Sequence, residues 1–137
     1  MGLTSNACDF HAKNMVGEAV TKFNEANAAL GVGDDDTTFA VGQDKLQAEA
    51  NSTGAKRKGM DSGYPKRDPD EDGSENKIRF QSTFGQSEGN FRWEEWGVFN
   101  SVTAGAGVMH NREVEFIGEK TNKTTWVFQV DVSLVTE

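Results

Sequence analysis

Apolar residues recur three or four positions apart near the start of the chain. Residues 12–30 read AKNMVGEAVTKFNEANAAL, and this spacing predicts one amphipathic helix. The apolar stripe consists of Met15, Ala19, Phe23, Ala26 and Leu30. Asp9 and Gly31 stand where the two ends of a helix favour an acidic residue and a glycine. We expect the helix to pack on a sheet, and residues 1–11 to form an extended N-terminal arm.

The second half of the chain alternates apolar and polar residues, which is typical of strands. Residues 77–84 (KIRFQSTF) and 126–134 alternate clearly, and residues 108–118 form one or two further strands after a glycine-rich turn. Strands about ten residues apart without intervening helices indicate a mainly β fold. The prediction is an antiparallel β-sandwich or barrel in one domain, residues 12–137, with the N-terminal helix packed against it.

A polar segment, residues 51–76, separates the two patterns. It contains both prolines and nearly every type of charged residue, with the basic residues first and the acidic residues after them. This composition predicts a long exposed loop. Just before it, residues 37–41 (TTFAV) are predicted to form a short strand and residues 44–50 a helical turn.

The stretch GNFRWEEWGVFNS, residues 89–101, holds two of the three tryptophans. Either this strand is buried on both sides, or a bulge at Glu94-Glu95 brings Trp93 and Trp96 to the same side. Adjacent strand residues point to opposite faces, so the two glutamates do not form a catalytic pair. We interpret the stretch as aromatic core anchors with one glutamate in a polar network, rather than as a ligand platform. The predicted core residues are Phe23, Phe80, Phe84, Phe91, Trp93, Glu95, Trp96, Phe99, Trp126 and Phe128.

Composition and charge narrow the classes of function. The 137 residues carry a net charge of −8, which disfavours binding to nucleic acid because phosphate contacts need a basic face. The single cysteine, Cys8, excludes an intrachain disulfide and fits assembly in a reducing cytoplasm. The chain shows neither a signal-peptide pattern nor an apolar run long enough to span a membrane.

Candidate chemical sites are weak. Cys8 and His11 have C-x-x-H spacing, but only His110 remains as a further histidine, which is too few ligands for a zinc site. The aspartates at 34–36 lack the ligand spacing of a calcium loop, and the Gly-x-Gly sequence before them lacks the rest of a dinucleotide fingerprint. The sequence therefore predicts no metal site, no cofactor, no catalytic residues and no enzymatic activity.

Several motifs in succession resemble a group of small structural proteins of tailed bacteriophages. They are a helix followed by Gly-x-Gly-Asp, a Leu-Gln segment, an Arg-Lys-Gly-Met-Asp step, and an aromatic-Glu-x-Gly-hydrophobic-Phe motif. The last motif is matched by Trp93, Glu95, Gly97, Val98 and Phe99. A looser likeness links the chain to phage tail-collar fibre domains. Residues 14–136 carry the resemblance, although His110 stands where leucine is more usual.

The resemblance implies a non-enzymatic virion component, assembled in the cytoplasm of a bacterial host. We expect a capsid decoration (cement) protein that binds the major capsid protein and copies of itself, as an oligomer such as a trimer. The alternatives are a tail or collar component that attaches fibres, and a carbohydrate-binding surface module that stacks sugars on Trp96 and Tyr64. The residues expected to contact partners are Leu3, Phe10, Lys56, Arg57, Lys58, Tyr64, Lys66 and Arg67.

Overall fold

The structure is a computed structural model that describes residues 2–134. Within that range the chain forms two short helices and seven strands. The helices are α1 (Ser5–Met15) and α2 (Gln47–Ala50). The strands are β1 (Ala29–Gly33), β2 (Ala55–Gly59), β3 (Lys66–Arg67), β4 (Lys77–Phe84), β5 (Arg92–Phe99), β6 (Met109–Glu119) and β7 (Trp126–Ser133).

The strands form two antiparallel sheets. The four-stranded sheet has the order β2-β1-β5-β6, and the three-stranded sheet has the order β3-β4-β7. The apolar core lies between the sheets, where Leu30 and Val98 of the first sheet pack with Phe80, Val130 and Val132 of the second. The predicted mainly β, antiparallel sandwich is therefore confirmed, and the described strands do not close into a barrel.

The predicted helix over residues 12–30 is wrong, because the helix runs from Ser5 to Met15. The side chain of Thr4 caps it by accepting a hydrogen bond from the Ala7 amide. Gly17, at φ +82°, follows its end. The apparent stripe joined residues of three different segments: Met15 is largely exposed at the end of α1, Phe23 lies in irregular chain, and Leu30 is buried in β1.

The predicted extended arm, residues 1–11, is also wrong. Its second half is helical, and residues 2–4 pair with β6 as an added edge segment. Gly2 accepts from the Arg112 amide, the Thr4 amide donates to His110, and Leu3 forms a bridge with Asn111.

Two further corrections concern the middle of the chain. The segment 51–76 is not a continuous loop, because it contains β2 and β3. β2 is held by pairing with β1 over five residues, a long-range contact that composition does not reveal. Residues 37–41 form no strand, and Val41 is exposed, whereas the helical turn predicted at 44–50 is confirmed by α2.

The alternating strands are confirmed as β4, β6 and β7. In β5 the register is irregular between Trp93 and Glu95, as in the bulge alternative. Trp93 and Trp96 both pack edge-on against Phe128 of the opposite sheet, at centroid distances of 5.4 and 5.9 Å. Glu95 is buried on the other face of β5, against α2.

Candidate functional site

A buried ion pair lies on the outer face of the four-stranded sheet. Nε of Arg112 on β6 is 2.6 Å from Oε1 of Glu95 on β5, and both side chains are fully buried. Oε1 also accepts from the Gln47 amide, and Oε2 accepts from the Ala48 amide at 2.8 Å. The Glu95 carboxylate thus receives three hydrogen bonds, two of them from the first residues of α2.

Arg112 extends the same network into residues 34–46. Its guanidinium donates to the carbonyl of Thr37 at 2.7 Å and to Oε1 of Gln43 at 3.2 Å. Since a guanidinium is a planar fork of donors, it can hold several turns of irregular chain at once. The ion pair therefore fixes this segment and α2 over the sheet, which is a structural role.

The two glycines of the Gly-x-Gly sequence make room for this layer. They lie inside β1, and a Cβ on Gly33 would stand 2.5 Å from Oε2 of Glu95. A Cβ on Gly31 would stand 2.6 Å from the ring of Phe99. Both residues are glycine because side chains from β5 occupy the space above them.

A second buried ion pair joins β2 to α2. Arg57 is hydrogen-bonded through Nε to Glu49 at 2.8 Å, and the side chains are 1% and 5% exposed. The Arg57 guanidinium also lies 3.7 Å from the centroid of the Phe99 ring and donates to the carbonyls of Ser101 and Ala106. Arg57 is thus a core residue, and its prediction as a partner contact is wrong because no free face remains.

The aromatic-Glu-x-Gly-hydrophobic-Phe motif is explained by these contacts. Trp93 fills the core between the sheets, Glu95 anchors α2, and Val98 packs in the central cluster. A Cβ on Gly97 would lie 2.7 Å from the backbone oxygen of Asn111, so the close approach of β5 to β6 requires glycine there. Phe99 is buried beneath Arg57. Each motif residue therefore has a role in folding.

The predicted core residues occupy the interior to different degrees. Phe80, Phe84, Trp93, Glu95 and Phe99 are buried. The others are half-buried and pack against the same clusters: Phe23, Phe91, Trp96, Trp126 and Phe128. Trp96 donates from its indole nitrogen to Glu115, so this tryptophan has both a packed face and a bound polar edge.

The other predicted partner residues are scattered. Phe10 is buried against Phe23, with ring centroids 5.0 Å apart, so its prediction as a partner contact is wrong. Leu3 is 38% exposed beside β6. Lys66 and Arg67 are exposed on β3, and Lys66 Nζ lies 4.8 Å from the ring centroid of the half-buried Tyr64.

Lys56 and Lys58 both reach Glu88. Lys58 Nζ lies 2.7 Å from the Glu88 carboxylate and Lys56 Nζ lies 3.9 Å from it. The hydrogen bonds from Lys58 hold the pKa of Glu88 below its ordinary value. The basic run is therefore largely neutralised within the molecule, rather than presented as a free basic arm.

Two histidines meet at one end of the sandwich. The Nε2 atoms of His11 on α1 and His110 on β6 are 3.0 Å apart. Burial, assisted by the charge of His11, lowers the pKa of His110 to about 4, so the ring is neutral at pH 7. Both rings line a cavity of about 230 Å³ whose walls include Phe10, Phe23 and Ile78.

The free part of the β6 edge carries three exposed apolar side chains. Residues 2–4 cover β6 only as far as Arg112, and among residues 2–134 no strand pairs with β6 beyond that point on its outer side. We call residues Glu113–Glu119 the free edge. Val114, Phe116 and Ile117 on it are 36%, 55% and 37% exposed.

Sequence reasoning predicted β6 as a strand but did not identify its free edge. The available signal was the alternation of glutamate with Val114 and Phe116, since a strand with charged residues between exposed apolar ones is typical of a sheet edge. The hydrogen bond from the Arg112 amide to the Gly2 carbonyl depends on tertiary structure, and no local sequence pattern predicts it.

No protein-family model matches the chain, and no curated protein matches it significantly.

Within residues 2–134, no helix is both long and apolar enough to cross a membrane. The same residues contain no group of three or more histidine, cysteine, aspartate or glutamate side chains placed to hold a metal ion.

Proposed function

We propose that this chain is a bacteriophage virion structural protein of the capsid decoration (cement) type. It binds the outer surface of the assembled capsid, through the major capsid protein and neighbouring copies of itself, and stabilises the shell. The observation that carries the proposal is the free edge of β6, which carries exposed apolar side chains and has no partner strand on its outer side among residues 2–134. Such an edge is a surface for association with another protein.

The rigidity of the scaffold supports a binding role. The Glu95–Arg112 and Arg57–Glu49 pairs fix the irregular segments against the four-stranded sheet. A preorganised surface loses little conformational entropy when it binds, so more of its contact energy is available for affinity. The net charge of −8 keeps copies on an outer layer soluble and apart from nucleic acid.

The mechanism of stabilisation is mass action. A protein that binds the assembled shell, and not the separated subunits, shifts the equilibrium toward the shell by RT ln(1 + [L]/Kd) for each site. Many weak contacts repeated over a symmetric surface then add to a large effect. No covalent chemistry or cofactor is needed for this function.

The test is cryo-electron microscopy of intact virions that contain this protein. We expect its density in many copies over the shell, at local symmetry axes between capsid subunits. A few copies in a ring at the portal, collar or tail would overturn the decoration proposal and assign the protein to fibre attachment. As a functional control, shells stripped of the protein should disassemble at a lower temperature, and adding it back should restore the difference.

A further inference from the structure

We infer that the free edge of β6 binds an extended segment of a partner protein in which lysine or arginine alternates with aliphatic residues. The segment would add to the four-stranded sheet as a fifth strand next to Glu113–Glu119. This inference deepens the proposed function and rests on it only for the identity of the partner as a shell protein. The backbone, the side chains and the charges of the free edge each favour such a partner.

The backbone of β6 is already used in this way by the chain itself. The Arg112 amide donates to Gly2, and the His110 carbonyl accepts from Thr4, so residues 2–4 form a bridged segment on the outer side of β6. The alternation of an antiparallel ladder directs the amide of Val114 to the same side as that of Arg112. A partner strand can therefore continue the ladder from Arg112 to Val114, and beyond Val114 it must follow the irregular register that β6 has between Val114 and Gly118.

The side chains of the free edge supply an apolar contact. Phe116 is 55% exposed, and the Arg92 guanidinium covers one face of its ring at 4.3 Å from the centroid. Val114 and Ile117 flank it. In strand addition the main chain gives affinity and side chains at alternate positions, here Val114 and Phe116, give specificity.

The charges of the free edge are acidic. Three glutamates, Glu113, Glu115 and Glu119, lie on it, and the adjacent cation Arg92 is already paired with Glu94 at 2.8 Å. Opposite charges facing each other across two strands are favourable, and like charges are unfavourable. The free edge therefore selects a basic strand.

The same charges oppose pairing of two copies through this edge. In a regular two-fold antiparallel pairing centred on Phe116, Glu113 of each copy faces Glu119 of the other. Centring the pair on Val114 places Glu113 opposite Glu115, and centring it on Glu115 or Ile117 again places glutamate opposite glutamate. A second copy also offers no free basic strand in β2, because the Lys58 carbonyl accepts a hydrogen bond from the Ser82 hydroxyl and the Asp61 amide donates to the Gln81 carbonyl.

The test uses the purified protein and synthetic peptides as long as the free edge. One peptide alternates lysine with valine, the second alternates glutamate with valine, and the third is the lysine peptide with alternate backbone nitrogens methylated. Binding is followed by amide chemical shifts and by amide hydrogen exchange. We expect the lysine peptide to shift the amides of Glu113–Glu119 and to slow exchange at Val114, with at least about tenfold weaker binding of the other two peptides.

Matched variants distinguish the effect of the free-edge glutamates from the effect of the overall negative charge of the protein. The triple variant Glu113→Gln, Glu115→Gln, Glu119→Gln keeps side-chain acceptors for Gly2 and Trp96 but removes three charges. We expect it to bind the lysine peptide about tenfold more weakly, with a smaller dependence on salt. The control removes three charges at exposed residues away from the edge, by Glu18→Gln, Asp44→Asn and Glu71→Gln, and should bind like the unchanged protein.

Three outcomes would overturn the inference. They are equal affinity for the acidic peptide, shifts centred outside the free edge, and self-association through β6 in sedimentation experiments. The proposed function is tested separately: shell density with the free edge facing solvent would refute the inference alone, and tail density with a strand on the free edge would refute the decoration role alone.

Discussion

Glu95 and Arg112 form an ion pair that solvent does not reach, with 2.6 Å between Oε1 and Nε. The pair joins neighbouring strands, and its additional hydrogen bonds hold α2 and the segment around Thr37. A buried ion pair of this kind adds little to the stability of the protein compared with an apolar replacement. Loss of one partner, however, leaves the other charge buried without a compensating charge. The main effect of the pair is to hold α2 and the irregular segment around Thr37 in one position over the sheet.

The first prediction concerns this pair. Arg112→Met should lower the free energy of unfolding by about 3–5 kcal/mol, because the Glu95 carboxylate then stays buried without its cation. Urea unfolding followed by far-UV circular dichroism measures the change. The double variant Glu95→Leu, Arg112→Met should lose less than the sum of the single changes. Arg92→Met, which removes the exposed cation beside Glu94, serves as a control and should cost less than about 1 kcal/mol. Equal costs for the two arginines would contradict the assignment.

The second prediction concerns Trp93, which is 1% exposed and packs edge-on against Phe84 and Trp126 at centroid distances of 4.9 and 5.0 Å. Trp93→Ala should reduce stability by about 3–5 kcal/mol, since a large cavity replaces the ring between the sheets. The midpoint of urea unfolding reports this loss. Trp96→Phe is the comparison, because Trp96 is only half-buried and should tolerate the change with a smaller shift. A small shift for Trp93→Ala would show that the ring is not a core anchor.

The positions of β4 and β7 were predictable because one face of each strand is more buried than the other, which imposes a period of two on the sequence. In β7, for example, Val130 and Val132 are buried while Gln129 and Asp131 are exposed. The helix was misplaced because spacing alone does not distinguish an amphipathic helix from scattered apolar residues of a loop and a following strand. Leu30 fitted the helical stripe, but pairing of β1 with both β2 and β5 determines its conformation.

The polar interior was predicted only in part. A glutamate in a polar network was expected from the stretch around Trp93, and Glu95 fulfils that expectation. Its partner Arg112 was not identified, because the register between β5 and β6 decides which residues meet. Arg57 was misassigned for a related reason. It belongs to a basic run whose composition is typical of an exposed segment, but its position in β2 places its guanidinium over the ring of Phe99.

The third prediction uses the buried His110. Its pKa in the folded protein is lowered to about 4, below the ordinary value of 6.5, by burial and by the charge of His11. The unfolded chain therefore binds more protons than the folded chain between these values, and stability should fall as the pH is lowered through that range. Between pH about 7.5 and about 5 the expected loss is about 2 kcal/mol.

Urea unfolding at the two pH values measures this loss, and His110→Asn provides the control because it removes the titrating ring. The variant should show a smaller difference between the two pH values, whatever its absolute stability. The other charged or titratable groups around the cavity are His11 on α1 and Lys22, whose ammonium binds Asn14. An unchanged pH dependence in His110→Asn would place the effect at one of those groups or elsewhere.

The fourth prediction concerns Asn111, which is fully buried on β6 opposite Val98 and whose side-chain amide has no hydrogen-bond partner among residues 2–134. A buried amide without partners costs free energy that an apolar side chain of similar volume does not. Asn111→Leu should therefore stabilise the protein by about 1–2 kcal/mol, seen as a higher urea midpoint with an unchanged slope. Asn100→Leu is the matched control, since the Asn100 side chain bonds to Thr21 and Val108 and its loss should destabilise the fold. Destabilisation by Asn111→Leu as well would mean that the buried amide does have a stabilising partner.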